Sequence, residues 1–291
     1  DQIKALSSAQ VAVLSTDQVA KLSTDQVQAL STSAIKGLST DGIVALTTSQ
    51  VEKLGTDQIA ALTTAQIKAI ATDDLAKLTT DQIKALSSTQ VAALTTDQVA
   101  KLSTDQIQAI TTTAIQGLTT AGVAALTTAQ AEKLSTDQVA ALTTAQIKAI
   151  ATDDLAKLTT DQIKALSSTQ VAALTTDQVS KLSTDQVQAL STSAIKGLTA
   201  ANITALTTAQ AEKLTTDQIA ALSTAQVAAI GTDDLQKLGT DQIGALSSTQ
   251  VKALTTAQIE ALTTAQVEKL GTDQIAALTT AQIKAIATDD L

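Results

Sequence analysis

The fold is decided by a stretch that recurs throughout the chain and is clear at residues 22–30, LSTDQVQAL. Ser23 and Gln26 have the spacing of a capping box, in which each side chain bonds the backbone N–H of the other residue. Leu22 and Val27 have the spacing of the hydrophobic staple that accompanies such a box. The Asp before the Gln falls in the first turn, where a negative charge suits the helix dipole. The stretch therefore predicts a helix that begins just after the Ser.

This stretch belongs to an eight-residue repeat that runs from residue 1 to residue 291 without insertion or deletion. We label the octad positions a to h, with residue 1 at a. Position f is Leu or Ile in every complete octad, and position c is Ile, Val or Leu except at Ala131 and Ala211. Position e is mostly Ala, and positions g and h are nearly always Ser or Thr. Such regularity indicates a repeat protein and not a globular enzyme.

The spacing of the apolar positions favours helices over strands. Positions c and f are three residues apart, which is a helical spacing. One continuous helix fails, however, because eight residues rotate the apolar stripe by roughly 80° per octad and leave no seam. We therefore predict helices of about one and a half turns, one per octad, which are stable only when stacked on neighbouring coils. The fold class is an all-α, short-repeat α-solenoid; a β-solenoid, favoured by the abundant Thr, Val and Ile, is the alternative.

A second, longer period lies above the octad. The octad DQIKALSS, or its close variant DQIGALSS, begins blocks of ten octads at residues 1, 81, 161 and 241. Lys recurs at position e at intervals of three or four octads, as at Lys21, Lys53 and Lys77. A coil with ten octads in three turns would place these Lys residues on one side. We expect residues 1–291 to form a single continuous array that is a segment of a longer chain, because neither end shows a capping repeat.

Octads five and six of the first three blocks depart from the capping rule. Small residues replace the usual Gln at position b, and a Gly occupies position e of octad five. Two interpretations are open: a tolerated loss of the cap with a close approach between coils, or a recurrent bend or contact surface. The residues are Ala34, Gly37, Gly42, Ala114, Gly117, Gly122, Ala194, Gly197 and Asn202.

Composition excludes most site chemistry. The chain has no His, Cys, Met, Pro or aromatic residue, and its net charge is −9. Zinc, haem and thiolate sites need His or Cys, and an acidic surface without aromatics is unsuited to nucleic acid. No apolar run is long enough for membrane insertion. We predict that the chain is not an enzyme and has no catalytic, cofactor-binding or metal-binding residues and no cofactor.

Paired aspartates are the strongest candidates for a metal site. They occur at Asp73/Asp74, Asp153/Asp154, Asp233/Asp234 and Asp289/Asp290. No D-x-D-x-D-G loop accompanies them, as a calcium loop of the EF-hand kind would require. At the second and third positions of a helix, adjacent carboxylates act instead as dipole and capping groups.

The octad LTTDQIAAL resembles the octapeptide tracts of very large secreted bacterial surface proteins, which are often called adhesin-like. The resemblance covers the whole chain, and it implies an extracellular or cell-surface location. Such tracts contribute length and self-contact, so no functional residue is carried over.

The sequence leads to two functional hypotheses. The first is a structural fibre or filament segment that associates with itself through the solenoid surface, so that its partner is a second copy of the chain. The alternative is a passive, rigid spacer or stalk of a giant bacterial adhesin. Because each cap is one among dozens, the capping box alone predicts that Gln26→Ala costs about 1 kcal/mol at most.

Overall fold

The computed structural model describes residues 2–286, and within them every regular element is a helix. The prediction of an all-α solenoid is confirmed for this part of the chain, and the alternative of a β-solenoid is wrong. The chain divides into two compact units, Asp1–Ile150 and Ala151–Leu291. None of the helices in residues 2–286 combines the length and apolar character needed to cross a bilayer.

The described part of the first unit contains a 3-10 helix at Ile3–Ala5 and 18 α-helices. In chain order these are α1 Ser8–Ala12, α2 Thr16–Ala20, α3 Thr24–Gln28, α4 Thr32–Ile35, α5 Thr40–Val44, α6 Thr48–Glu52, α7 Thr56–Ala61, α8 Thr64–Ala69, α9 Thr72–Leu75, α10 Thr80–Lys84, α11 Ser88–Ala92, α12 Thr96–Lys101, α13 Thr104–Ala109, α14 Thr112–Ile115, α15 Thr120–Ala124, α16 Thr128–Glu132, α17 Thr136–Ala141 and α18 Thr144–Ala149.

The second unit contains 17 α-helices up to residue 286. They are α19 Thr152–Leu155, α20 Thr160–Lys164, α21 Ser168–Ala172, α22 Thr176–Lys181, α23 Thr184–Ala189, α24 Thr192–Ile195, α25 Ala200–Thr204, α26 Thr208–Glu212, α27 Thr216–Ala221, α28 Thr224–Ala228, α29 Thr232–Lys237, α30 Thr240–Gly244, α31 Ser248–Ala253, α32 Thr256–Glu260, α33 Thr264–Glu268, α34 Thr272–Ala277 and α35 Thr280–Ala285.

Each helix begins and ends where the octad predicts. In α17, Ser135 at position g is the N-cap, with extended backbone at φ −69° and ψ 158°, and it forms a full capping box with Gln138. The helix ends at Leu142, whose φ of −59° and ψ of 140° return the backbone to an extended conformation. The α-helices are four to six residues long, as in α9 and α17, so the predicted corner once per octad is present.

Gly replaces the capping Ser or Thr at a few corners. Gly55 still donates its backbone N–H to Gln58 Oε1 at 2.8 Å, but it has no side chain to accept a bond in return. A Cβ built on Gly55 has a single neighbour, Gln58 Oε1 at 3.6 Å, so the corner has room for a side chain.

We predict that Gly55→Ser stabilises the fold by about 0.5–1 kcal/mol, since it adds an N-cap acceptor and reduces the entropy of the unfolded chain. Urea denaturation followed by circular dichroism measures the change. Gly55→Ala is the control, because it adds the Cβ without the hydroxyl, and Ala is a poorer N-cap than Gly. Equal stabilisation by Ser and by Ala would contradict the capping argument.

The core of each unit is built from positions c and f. Ile107 and Ile110 in the first unit, and Val187 and Leu190 in the second, are at most 3% exposed. Burial of these side chains supplies the stabilisation that helices of one or two turns lack on their own.

Helices contact each other at a fixed separation along the chain. In both units each helix packs against the third helix along, as α1 does against α4 and α20 against α23. Side-chain hydrogen bonds reach 28 and 31 residues back, to the fourth preceding octad, as from Gln138 to Ile110 and Ile107. One turn of the coil therefore holds between three and four octads, a range that includes the three and a third expected from the Lys spacing.

Candidate functional site

The Gln at position b is the polar residue that is buried in octad after octad. Gln138 is 2% exposed. Its Oε1 accepts from Ser135 N at 2.9 Å, and its backbone N donates to Ser135 Oγ at 3.1 Å. These two bonds are the capping box predicted from the sequence, and they use only the oxygen of the side-chain amide.

The nitrogen of the same amide joins one coil to the previous one. Gln138 Nε2 donates to the carbonyl oxygens of Ile107 at 2.9 Å and Ile110 at 2.7 Å. In the second unit, Gln226 Nε2 donates in the same way to Ile195 O at 2.9 Å and Leu198 O at 2.8 Å. One planar amide thus caps its own helix and holds the coil behind it.

This bond satisfies a backbone group that the corner leaves without a partner. The position c carbonyl already accepts an intrahelical bond, as Ile107 O does from Ile110 N at 3.2 Å. Among residues 2–286, the position f carbonyl of Ile110 accepts only from Gln138. Since an unpaired buried carbonyl costs about 1–3 kcal/mol, the Gln amide is what makes a buried corner tolerable in every coil.

We call the set of glutamines whose Nε2 bonds the preceding coil the glutamine ladder. Its members are Gln50, Gln58, Gln66, Gln82, Gln90, Gln98, Gln106, Gln130, Gln138 and Gln146 in the first unit, and Gln186, Gln210, Gln218, Gln226, Gln242, Gln250, Gln258, Gln266, Gln274 and Gln282 in the second.

Sequence reasoning missed the ladder, although a signal for it was present. A capping box accepts Glu as readily as Gln, and Glu also suits the dipole at a helix N-terminus. Yet every Glu of this chain lies at position d and none at position b. The exclusive use of the amide indicates a need for a donor, which capping alone does not explain.

The small residues of octads five and six keep half of the predicted cap. Ala34 and Gly42 still donate their backbone N–H to Ser31 Oγ and Ser39 Oγ, at 3.1 and 3.0 Å. Only the reciprocal bond from a side chain at position b is missing there. The expectation that the capping rule breaks was therefore too strong.

Asn202 retains the complete arrangement. It forms a full capping box with Thr199, and its Nδ2 donates to Leu174 O at 3.1 Å. The grouping of Asn202 with Ala and Gly as a lost cap was wrong. The shorter Asn reaches the position f carbonyl of the fourth preceding octad, which is the carbonyl that the corner leaves unpaired.

The Gly residues of octad five mark the closest approach between coils. A Cβ built on Gly117 would overlap the backbone carbonyl oxygen of Ser88 and lie 2.7 Å from its carbon. Gly37 meets Ser8, and Gly197 meets Ser168, in the same manner. Of the two interpretations left open by the sequence, the close approach is the one that the structure supports, and it recurs once in each of the first three blocks.

The aspartate pairs lie where helix capping predicts. Asp73 and Asp74 are the second and third residues of α9, whose N-cap Ala71 has no side-chain acceptor. Asp74 Oδ1 accepts from Thr48 Oγ1 at 2.6 Å, a residue of the third preceding helix. Asp73 lies 3.4 Å from Lys101 Nζ.

The second unit repeats this arrangement, since Asp234 Oδ1 accepts from Thr208 Oγ1 at 2.7 Å. Within residues 2–286 no cluster of three or more acidic residues is suited to a metal ion. The pair Asp289/Asp290 lies outside the described residues.

Short capped helices, a core of two apolar positions per octad and a polar ladder between coils define the class of protein: an α-solenoid with an eight-residue repeat. The motif ALTTAQ, as at residues 61–66, spans the end of α7, the N-cap Thr63 and the ladder residue Gln66. A family model described as the ALTTAQ repeat matches residues 1–24, 19–56, 45–72, 67–104, 99–136, 147–184, 179–216, 227–264 and 258–288. The chain belongs to this repeat family. A comparison with curated proteins found no match.

Proposed function

We propose that the chain is a structural repeat protein that forms fibres or filaments by self-association through its solenoid surface. The glutamine ladder is the observation that carries this proposal. Every coil presents amide donors on one side and carbonyl acceptors on the other, so a coil is complementary to any other coil that follows it. A surface of this kind binds its own copy by the contacts that hold the chain together.

The extracellular or cell-surface location is supported by the resemblance of the octad to tracts of secreted surface proteins. That the chain has no enzymatic activity and binds no nucleic acid remains a prediction from composition.

The alternative proposal is a passive spacer. It is supported by the same ladder, because within each unit the coils already satisfy one another and leave a lateral surface rich in Ser and Thr. Cross-linked coils of this kind resist bending, which is the property that a stalk needs.

Self-association distinguishes the two proposals. Purified residues 1–291 are studied by sedimentation velocity over a hundredfold concentration series, with negative-stain electron microscopy of the same samples. We expect the weight-average mass to rise with concentration and filaments of constant width to appear. Particles that remain monomeric at every concentration would contradict the fibre and support the spacer.

A further inference from the structure

Three glutamines of the first octads carry the ladder's donor without the ladder's acceptor. Each is held by its capping box as the inner ladder residues are, with Oε1 accepting from the N-cap N–H at 2.7–2.9 Å. The side chains are exposed, and among residues 2–286 no group accepts from their Nε2 atoms. Three parallel amides thus point away from the coil that they cap. They are Gln10, Gln18 and Gln26.

The last coil presents the complementary acceptors. The position f carbonyls of Leu270, Leu278 and Ile286 accept no hydrogen bond from residues 2–286. Apolar surface accompanies them: Ile275 is 38% exposed and Ile283 is 39% exposed. In the inner octads the corresponding residue at position c is covered, as Ile107 is at 0%.

Donors and acceptors come from three consecutive octads on each side, so their spacing matches. Inside each unit, consecutive ladder residues bond consecutive octads, as Gln58 and Gln66 do with Leu30 O and Leu38 O. The operation that relates one coil to the next therefore also relates a second copy to this surface.

On this basis we propose that a second copy of residues 1–291 stacks head to tail, which deepens the proposed self-association and rests on it. Gln10 of the incoming copy bonds Val267 O and Leu270 O, and its Gln18 and Gln26 bond the equivalent carbonyls of the next two octads. Leu6, Leu14 and Leu22 of the incoming copy, which are only half-buried in the single chain, then cover Ile275 and Ile283.

The interface is heterologous, because a donor face meets an acceptor face. It repeats the screw that relates successive coils, and a screw displacement does not close into a ring. The assembly therefore grows in one direction as an open filament.

A triple variant Gln10→Glu, Gln18→Glu, Gln26→Glu tests the inference. Glu preserves the capping box, so the first helices remain folded, but it removes the amide donors and places carboxylates against carbonyl oxygens. We expect end-to-end association to weaken roughly 100-fold or more, since buried unpaired charges are strongly unfavourable. The matched control is Gln108→Glu, Gln116→Glu, Gln188→Glu, which adds the same charge at exposed positions and leaves association near the parent value.

Direction is read by energy transfer between dyes on single cysteines, which the native chain lacks. Ala9→Cys labels the donor face and Ala281→Cys the acceptor face; both residues are exposed. We expect transfer only when a donor-face label is mixed with an acceptor-face label, and its loss in the triple Glu variant.

Two other results overturn the inference in different ways. Association that is indifferent to the triple variant, or equal transfer in all three pairings, refutes head-to-tail stacking and leaves the proposed self-association standing. No association at any concentration removes both.

Discussion

Gln186→Ala is expected to destabilise the coil around it by about 2–4 kcal/mol, whereas Gln26→Ala costs about 1 kcal/mol or less. The two residues share the same local sequence, STDQVQAL, at residues 183–190 and 23–30. They also share the same cap: in both, the N-cap N–H lies 2.7 Å from Oε1 and the backbone N lies 3.1 Å from the Ser Oγ. Sequence and helix geometry therefore predict equal effects.

The difference comes from the coil beneath. Gln186 Nε2 donates to Leu158 O at 2.6 Å and contacts the carbonyls of Leu155 and Ala156 at 3.3 and 3.2 Å. Ala at this position loses the cap and also leaves the Leu158 carbonyl buried without a donor. Gln26 loses the cap alone, because no coil of the described chain lies against its amide.

Hydrogen exchange measured by mass spectrometry is the suitable assay, since repeat arrays open locally and a single global free energy does not describe them. We expect peptides spanning α19 and α23 to exchange faster in Gln186→Ala, and little change around α3 in Gln26→Ala. Gln186→Asn should recover part of the loss, because Asn202 reaches the equivalent carbonyl in its own octad. Equal effects of the two Ala variants would show that the ladder bonds contribute nothing beyond the cap.

Gly117→Ala is expected to destabilise the fold by about 3 kcal/mol or more. The new Cβ would overlap Ser88 O and lie 2.9 Å from Ser88 Cα. Both are backbone atoms, so no side-chain rotation relieves the contact, and α11 and α14 have to separate. The same substitution elsewhere in a helix is normally favourable, because Ala is the better helix former by about 1 kcal/mol.

Gly244→Ala is the matched control for this prediction. Gly244 ends α30, is exposed, and would bring its Cβ no closer than 3.5 Å to Lys269 Cγ. We expect stabilisation of about 0.5–1 kcal/mol here. Urea denaturation of both variants measures the two changes, which should have opposite signs. A neutral or stabilising Gly117→Ala would mean that the coils are farther apart at Ser88 than the structure places them.

The position of every helix could be predicted from the octad because the signals are local. The capping box Ser23–Gln26 and the burial of positions c and f depend only on residues within one or two turns, and the structure confirms them in nearly every octad of residues 2–286. The aspartate pairs within the described residues were also placed correctly, since N-terminal positions of a helix follow from its cap.

The contacts between coils could not be predicted in the same way. Whether Gln186 is a cap or a bridge, and whether Gly117 is tolerated or required, depends on residues three or four octads earlier in the chain. That separation is set by how many octads complete a turn, which follows from the summed angles of several corners. The Lys intervals of three and four octads bracket the value without fixing the partner of any side chain.

The sequence by itself thus determined a chain of capped one-turn helices with two apolar positions each, because helix starts and ends are governed by hydrogen bonds and contacts between near neighbours. Only the tertiary structure decided that the amide of each Gln satisfies a corner carbonyl of the preceding coil and that Gly37, Gly117 and Gly197 are required by backbone contact. The physical reason is that these effects arise from burial against another coil, and an octad carries no information about what will lie against it.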